Sequence, residues 1–215
     1  MKVDDSLPRR FVVAGTDTGV GKTVVAAMLA AGRNAAYWKP IQSGLVETTD
    51  TELVRSLSGL PEEAILPEAY RLQTPISPHA SAALEGVVID PARLSLPRVE
   101  GRLLIEGVGG LMVPLNDQTL FIDLIRQWGL PVLLVARSRL GTINHTLLSL
   151  YALRAYGIEV VGVVMNGPAD PVSRKAIEFY GQVKVLGEVP VLGELNAEAI
   201  RMTYARLFGG GGDEY

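Results

Sequence analysis

Gly15-Thr16-Asp17-Thr18-Gly19-Val20-Gly21-Lys22-Thr23 lies between the apolar run 11–14 and the helix-forming run 24–31. A β-branched strand, a glycine-rich turn and an Ala/Leu-rich helix, in that order, predict a phosphate-binding P-loop. The glycines let successive backbone N–H groups turn inward around phosphate oxygens. The helix that follows aims its positive dipole end at the same point. Lys22 is then placed to reach the β/γ-phosphates of a nucleotide, and the Thr23 hydroxyl to hold Mg²⁺. Gly21 stands one position farther from Gly15 than in the common G-x-x-x-x-G-K-[ST] spacing, so the loop is a variant. The plain alternative is a strand-turn-helix whose glycines only make a tight turn.

The rest of the chain fits one α/β domain. At 215 residues and 48% hydrophobic content it can cover both faces of a sheet. A net charge of −3 without a Lys/Arg cluster argues against a general nucleic-acid binder. With no cysteine there is no disulfide framework, thiolate metal site or cysteine nucleophile. Residues 1–10 are polar and carry Pro8, unlike a secretory signal, and no apolar run approaches a membrane span. The expectation is a soluble cytoplasmic protein with no membrane partner.

Further strands and helices follow in alternation. After a helix stop at 32–34, a short strand over 35–38 delivers Lys39-Pro40 at its carboxyl end, where open α/β sheets bind ligands. Residues 41–44 read as a short polar binding loop. A helix starts near Thr48, with Asp50 a candidate N-terminal cap. Residues 61–78 hold several prolines and little periodicity, so they read as a long connection. Ser77-Pro78-His79 opens a small-residue helix. His79 has only His145 as a histidine companion, so a structural or substrate-orienting role is expected for it rather than metal binding. Residues 102–106 form a buried strand ending in Glu106. There a second carboxylate could meet the metal held by Thr23, or could cap a turn. Helices over 120–128, 143–156, 173–180 and 197–208 alternate with strands over 131–136, 158–166 and 183–189. Asn166, at a strand end, is suited to a nucleobase edge or to an ordinary Asn-Gly turn. The fold expected is a doubly wound, mostly parallel sheet of six to seven strands with helices on both faces. Residues 1–9 form an extension to it, 10–208 the domain, and 209–215 a disordered glycine-rich tail.

Five pieces taken together carry a resemblance: GTDTGVGKT at 15–23, WKPIQSG at 38–44, EGVGG at 106–110, LGTINH at 140–145, and MNG with GEVP at 165–167 and 187–190. The set resembles the dethiobiotin synthetase family, in consistent order from Phe11 to Phe208, and Ser77-Pro78-His79 fits it too. The resemblance implies an ATP-dependent ligase that converts 7,8-diaminononanoate and CO₂ into the cyclic urea dethiobiotin, releasing ADP and phosphate. It implies that Gly19, Val20, Gly21, Lys22, Thr23 and Val24 wrap the phosphates, with Gly107, Val108 and Gly109 completing that side. Thr23, Asp50 and Glu106 would hold Mg²⁺, and Lys22 and Lys39 would be catalytic. Ser43 and Thr18 would contact substrate, while Asn166, Gly167, Val189, Pro190 and Val191 would line the base. It also implies a homodimer whose substrate site is completed from the other subunit by Gly141, Thr142, Ile143 and Asn144. The spans from Lys22 to Lys39 and from Lys39 to Asp50 are shorter than is usual in the family. Glu47 and Glu52 therefore compete with Asp50 for the metal.

A P-loop switch ATPase of the ParA/MinD kind is the alternative from another class. Such proteins carry a lysine ahead of the loop glycines, where this chain has Thr16-Asp17. They also use a basic amphipathic C-terminal helix that is not evident here. An amidotransferase-type ligase would need a glutaminase cysteine. A non-enzymatic nucleotide sensor is the remaining reading.

Overall fold

The computed structural model describes residues 7–209. Seven strands form one sheet: β1 (Arg10–Gly15), β2 (Ala36–Trp38), β4 (Ile65–Leu66), β6 (Leu103–Glu106), β7 (Val132–Arg137), β8 (Val160–Asn166) and β9 (Val185–Val189). Their order is β4-β2-β6-β1-β7-β8-β9, and every pairing is parallel. The chain runs outward from β1 on one side first, to β2. It later crosses to the other side through β7, β8 and β9. That reversal beside β1 is the topological switch where such sheets open a crevice for ligands.

Strand alternation sorts the core onto two faces. Val13, Tyr37, Leu104, Leu133 and Val164 point to one face. They are covered by α1 (Lys22–Arg33), α2 (Asp50–Ser58) and α7 (Ala197–Leu207) through Val25, Leu29, Val54, Leu57 and Ile200. Val12, Ala14, Trp38, Leu103 and Ile105 point to the other face, against Phe121, Ile122 and Ile125 of α4 (Phe121–Trp128). On that same side Leu134, Ala136, Val163 and Met165 pack under α5 (Thr142–Ala155) and α6 (Pro171–Gly181) by way of Leu150 and Ile177. The helix and strand expectations are met to within a few residues.

One region differs. The stretch 61–78, read as a featureless connection, holds a 3₁₀ turn at Glu62–Ala64, strand β4 and strand β5 (Tyr70–Leu72), before α3 (Pro78–Leu84). The binding loop expected at 41–44 is largely strand β3 (Ile41–Ser43), paired in parallel with β5 as a separate two-stranded sheet. Two- and three-residue strands are too short to show alternation, which is why periodicity does not reveal them. Pro40 breaks β2 from β3, and its carbonyl accepts from the N–H groups of Ala69 and Tyr70. Ile41, Gln42 and Ser43 of this small sheet line the cavity beside the P-loop. Of the two terminal expectations, residues 1–6 of the extension and 210–215 of the tail lie outside the described residues; Leu7 is buried in the core.

Candidate active site

The P-loop leads from β1 into α1. Gly21, which takes φ +91°, stands at the N-cap of α1, and no side chain caps the helix, so its first N–H groups can meet an anion. A Cβ on Gly21 would stand 2.0 Å from the Asn166 amide nitrogen, so only glycine fits there. That same amide donates to the Val20 carbonyl at 3.0 Å, fastening the loop to the end of β8. Lys22 folds back over the loop and donates to the carbonyls of Asp17 (3.0 Å) and Gly109 (2.7 Å). Gly15 makes that fold possible, since a Cβ there would lie 2.9 Å from the ammonium. Burial and then the charge of Lys39 lower the Lys22 pKa to about 8.

Beside the loop, three chain segments converge on one hydroxyl. Thr23 Oγ1 lies 2.8 Å from Asp50 Oδ1 and 2.8 Å from Glu106 Oε1, although it has one hydrogen to donate. The ammonium of Lys39 bridges the same two carboxylates, 2.6 Å from Asp50 Oδ2 and 3.2 Å from Glu106 Oε1, and donates to the Gly107 carbonyl at 3.0 Å. Burial opposes the Lys39 charge, but Glu106 and Asp50 outweigh it and hold its pKa above the ordinary value. For Asp50, burial is likewise outweighed by Lys39, and its pKa is lowered. Glu106 has no exposed surface, and its Oε2 accepts from the buried Tyr37 hydroxyl at 2.8 Å. Burial and then the charge of Glu106 push the Tyr37 phenol well above its usual pKa, so it stays a donor.

This geometry distinguishes the three acids near the loop. The cap of α2 is Thr49, not Asp50: its hydroxyl accepts from the Glu52 N–H at 3.2 Å, and the Glu52 carboxylate returns to the Thr49 N–H at 2.8 Å. Glu52 is thus spent in a capping box, and Glu47 is exposed at the surface. Asp50, at the first helical position, is left to face Lys39 and Thr23. Gln42 helps aim it, accepting from the Asp50 N–H at 3.2 Å.

These groups line a cavity of about 580 Å³ with Thr18, Gly19, Gly21, Ser43, Val108 and Gly109. Ile41, Leu53, Pro75, Ile76 and Val113 give it an apolar flank. Ser43 Oγ is buried there without a partner among the described residues. Asn166, Gly167, Val189, Pro190 and Val191 sit at the ends of β8 and β9, outside this cavity. So do Gly141, Thr142, Ile143 and Asn144 at the start of α5. His79 belongs elsewhere: it lines a second hollow of about 560 Å³ with Val88, Leu115 and Asn116, and its Nδ1 is buried without a partner among the described residues. That hollow contains no lysine or P-loop group.

The donor set suits Mg²⁺. Among the described residues no three Asp, Glu, His or Cys side chains form a metal cage. Mg²⁺ in nucleotide sites takes one or two carboxylates, keeps waters and completes its shell from phosphate. Thr23, Asp50 and Glu106 offer that hydroxyl and those two carboxylates, already converged and one hydrogen short of satisfying each other.

The AAA domain family matches residues 9–199. The ATP-dependent dethiobiotin synthetase BioD of Agrobacterium fabrum is 55% identical over 93% of this chain and 94% of its own. The protein of the same description from Rhodopseudomonas palustris is 50% identical over 93% of each. The chain belongs to the dethiobiotin synthetase family. It is therefore an enzyme, an ATP-dependent ligase. Among solved structures it resembles a ParA family ATPase from Chlorobium tepidum, with a TM-score of 0.55, 10% identity, and coverage of 93% of this chain and 98% of that one. Identity that low speaks for a shared P-loop sheet alone. Among the described residues no helix is long and apolar enough to cross a membrane.

Sequence reasoning omits Tyr37 from the site, and places Gly15 in the P-loop and Gln42 in the binding loop without a role for either. Tyr37 stands two residues before Lys39, the spacing that puts both on one side of an extended chain. Gly15 acts by the room it leaves for Lys22, and Gln42 by its side-chain oxygen, which accepts from the Asp50 N–H; residue type alone displays neither.

Proposed function

We propose that the chain converts 7,8-diaminononanoate, CO₂ and ATP to dethiobiotin, ADP and phosphate. The observation that supports this most is the buried Lys39 ammonium, which bridges two carboxylates in the lining of the apolar-flanked cavity that the P-loop lysine also lines. One amine of the substrate adds to CO₂, losing a proton and forming a carbamate. A carbamate oxygen then attacks the γ-phosphorus and ADP leaves. Finally the second amine attacks the carbonyl carbon, the C–O bond to phosphate breaks and the ring closes.

Charge is the obstacle, since an anionic carbamate must approach an anionic triphosphate. Lys22 and the free N–H groups of the P-loop hold the phosphates, and Lys39 stands where the two anions meet. Thr23, Asp50 and Glu106 would hold Mg²⁺, which supplies further neutralisation of phosphate charge. Ser43 Oγ, buried in the cavity wall without a partner among the described residues, is suited to a substrate amine or its carbamate. The start of α5 has no side-chain cap, and Thr142 Oγ1 is buried without a partner among the described residues. These donors suit the substrate carboxylate of a second copy, in a cytoplasmic homodimer. Asn166, Gly167, Val189, Pro190 and Val191 would flank the nucleobase.

The test is ADP release with each co-substrate withheld in turn. This reading requires that release depend on both diaminononanoate and bicarbonate, with dethiobiotin appearing in equal amount. ATP turnover indifferent to both would instead favour a switch ATPase.

A further inference from the structure

Glu106 ends β6 with its two oxygens committed differently. Oε1 faces Thr23 and Lys39, the groups of the nucleotide crevice, at 2.8 and 3.2 Å. Oε2 turns inward to the Tyr37 hydroxyl at 2.8 Å. Tyr37 is 0% exposed, on a strand paired directly with β6, where Tyr37 lies opposite Leu104. A phenol in the core beside Val13 and Leu104 needs a hydrogen-bond partner, and a buried carboxylate needs donors on both oxygens. Each meets the other's need. The arrangement also has a directional result, because the inward bond fixes the plane of the carboxylate.

We propose that Tyr37 is a positioning residue for the metal–nucleotide complex: by holding Oε2 it makes Glu106 present Oε1 alone to the crevice. Mg²⁺ demands near-ideal octahedral geometry and dehydrates reluctantly, so a carboxylate free to rotate about its last torsion is a poorer holder of the ion or its water. Groups that orient a metal's ligands typically contribute a factor of about 10–100 in metal affinity. The proposal rests on the reading of Thr23, Asp50 and Glu106 as the metal's holders.

The test is calorimetric and does not need turnover. Mg²⁺ is titrated into the protein with ADP bound, and ADP is titrated separately in EDTA. Tyr37→Phe should weaken Mg²⁺ binding by about 10–100-fold, while ADP affinity in EDTA stays within about twofold. A merely structural tyrosine would lower the melting temperature and leave the Mg²⁺ constant where it was. Since Tyr37 acts through Glu106, adding Tyr37→Phe to Glu106→Gln should produce little further loss, a non-additivity expected of directly coupled residues. A Mg²⁺ constant that moves less than about threefold in Tyr37→Phe, well below that orienting effect, overturns the proposal. So does a full independent loss in the double variant. If Tyr37→Phe does not fold, 4-aminophenylalanine at position 37 carries the test: it keeps a neutral donor of similar reach and should hold the wild-type constant, and a loss of about tenfold there overturns the idea. Glu106→Gln alone separates the two levels. If it leaves Mg²⁺ binding unchanged, the metal-site reading fails; if it weakens binding while Tyr37→Phe does not, only the positioning role fails.

Discussion

Replacing Lys39 with methionine keeps the reach of the side chain and removes the one ammonium that bridges Asp50 and Glu106. In the metal-free protein this leaves two carboxylates sharing a single threonine hydrogen, each with an oxygen 2.8 Å from the Thr23 hydroxyl. Breaking a buried ion pair by removing one partner costs roughly 3–5 kcal/mol. The Asp50 side chain is 34% exposed, so water screens that arm and the lower end applies, about 3 kcal/mol. At about 2–4 °C per kcal/mol for a chain of this size, Lys39→Met should melt roughly 6–12 °C lower than wild type in EDTA. Mg²⁺ supplies the missing positive charge. A ligand at a hundred times its dissociation constant adds about 2.7 kcal/mol to the form it binds. In the variant Mg²⁺ meets the two carboxylates without a competing ammonium, so excess Mg²⁺ should stabilise it more than wild type and narrow the gap. Scanning calorimetry in EDTA and in excess Mg²⁺ measures both. A gap under about 2 °C in EDTA, less than one kcal/mol on that scale, would show that Lys39 does not neutralise the acids. A gap that Mg²⁺ fails to narrow would refute the idea that lysine and metal answer to the same two carboxylates.

Lys22→Ala should weaken ATP binding and abolish turnover, because it removes the charge that faces the β/γ-phosphates; wild-type affinity by calorimetry would sink the P-loop reading. Glu52→Ala should lower the melting temperature at pH 7 but leave the Mg²⁺ titration unmoved. The Thr49 N–H holds the Glu52 pKa below its ordinary value of 4.5, so the cap's stabilisation is present above pH 4.5 and is lost as pH falls through the lowered value; the difference from wild type should vanish in acid. A difference that persists unchanged at low pH would contradict the capping box. Asn144→Asp should raise the KM for diaminononanoate with kcat little changed, by placing a like charge near the substrate carboxylate. Light scattering should give a dimer, and a fully active monomer would remove the shared site.

The P-loop, Lys39 and Glu106 were legible because each lies at a strand end that hydrophobic patterning announces, with glycine, lysine or acid immediately after it. The parallel, doubly wound character of the sheet followed from strand-helix alternation and the handedness of its crossovers, but not the order of its strands. Across the shortened segment between Lys39 and Asp50, spacing left three acids in contention. What separates them is a hydrogen bond: Glu52 is occupied by Thr49, and the Asp50 backbone is met by Gln42. Such pairings depend on which way a helix start is turned, and no residue pattern states that. Strands β3, β4 and β5 escaped notice for a related reason. Two or three residues are held extended by their neighbours rather than by their own alternation.

The margins of the main sheet bear on how copies of this protein can meet. At one margin β4 contributes only Ile65 and Leu66 before Pro67, which has no N–H to donate. At the other, the Val185 N–H of β9 is occupied by the Glu178 carboxylate at 3.2 Å, and Glu188 is held by Arg174 at 3.2 Å. An arriving strand finds a two-residue template ended by proline on one flank and paired charges on the other. Both are devices that keep sheet edges from recruiting further chains. Lateral zipping into fibrils or edge-joined pairs is thereby disfavoured, and self-association of the folded protein falls to its helices and loops.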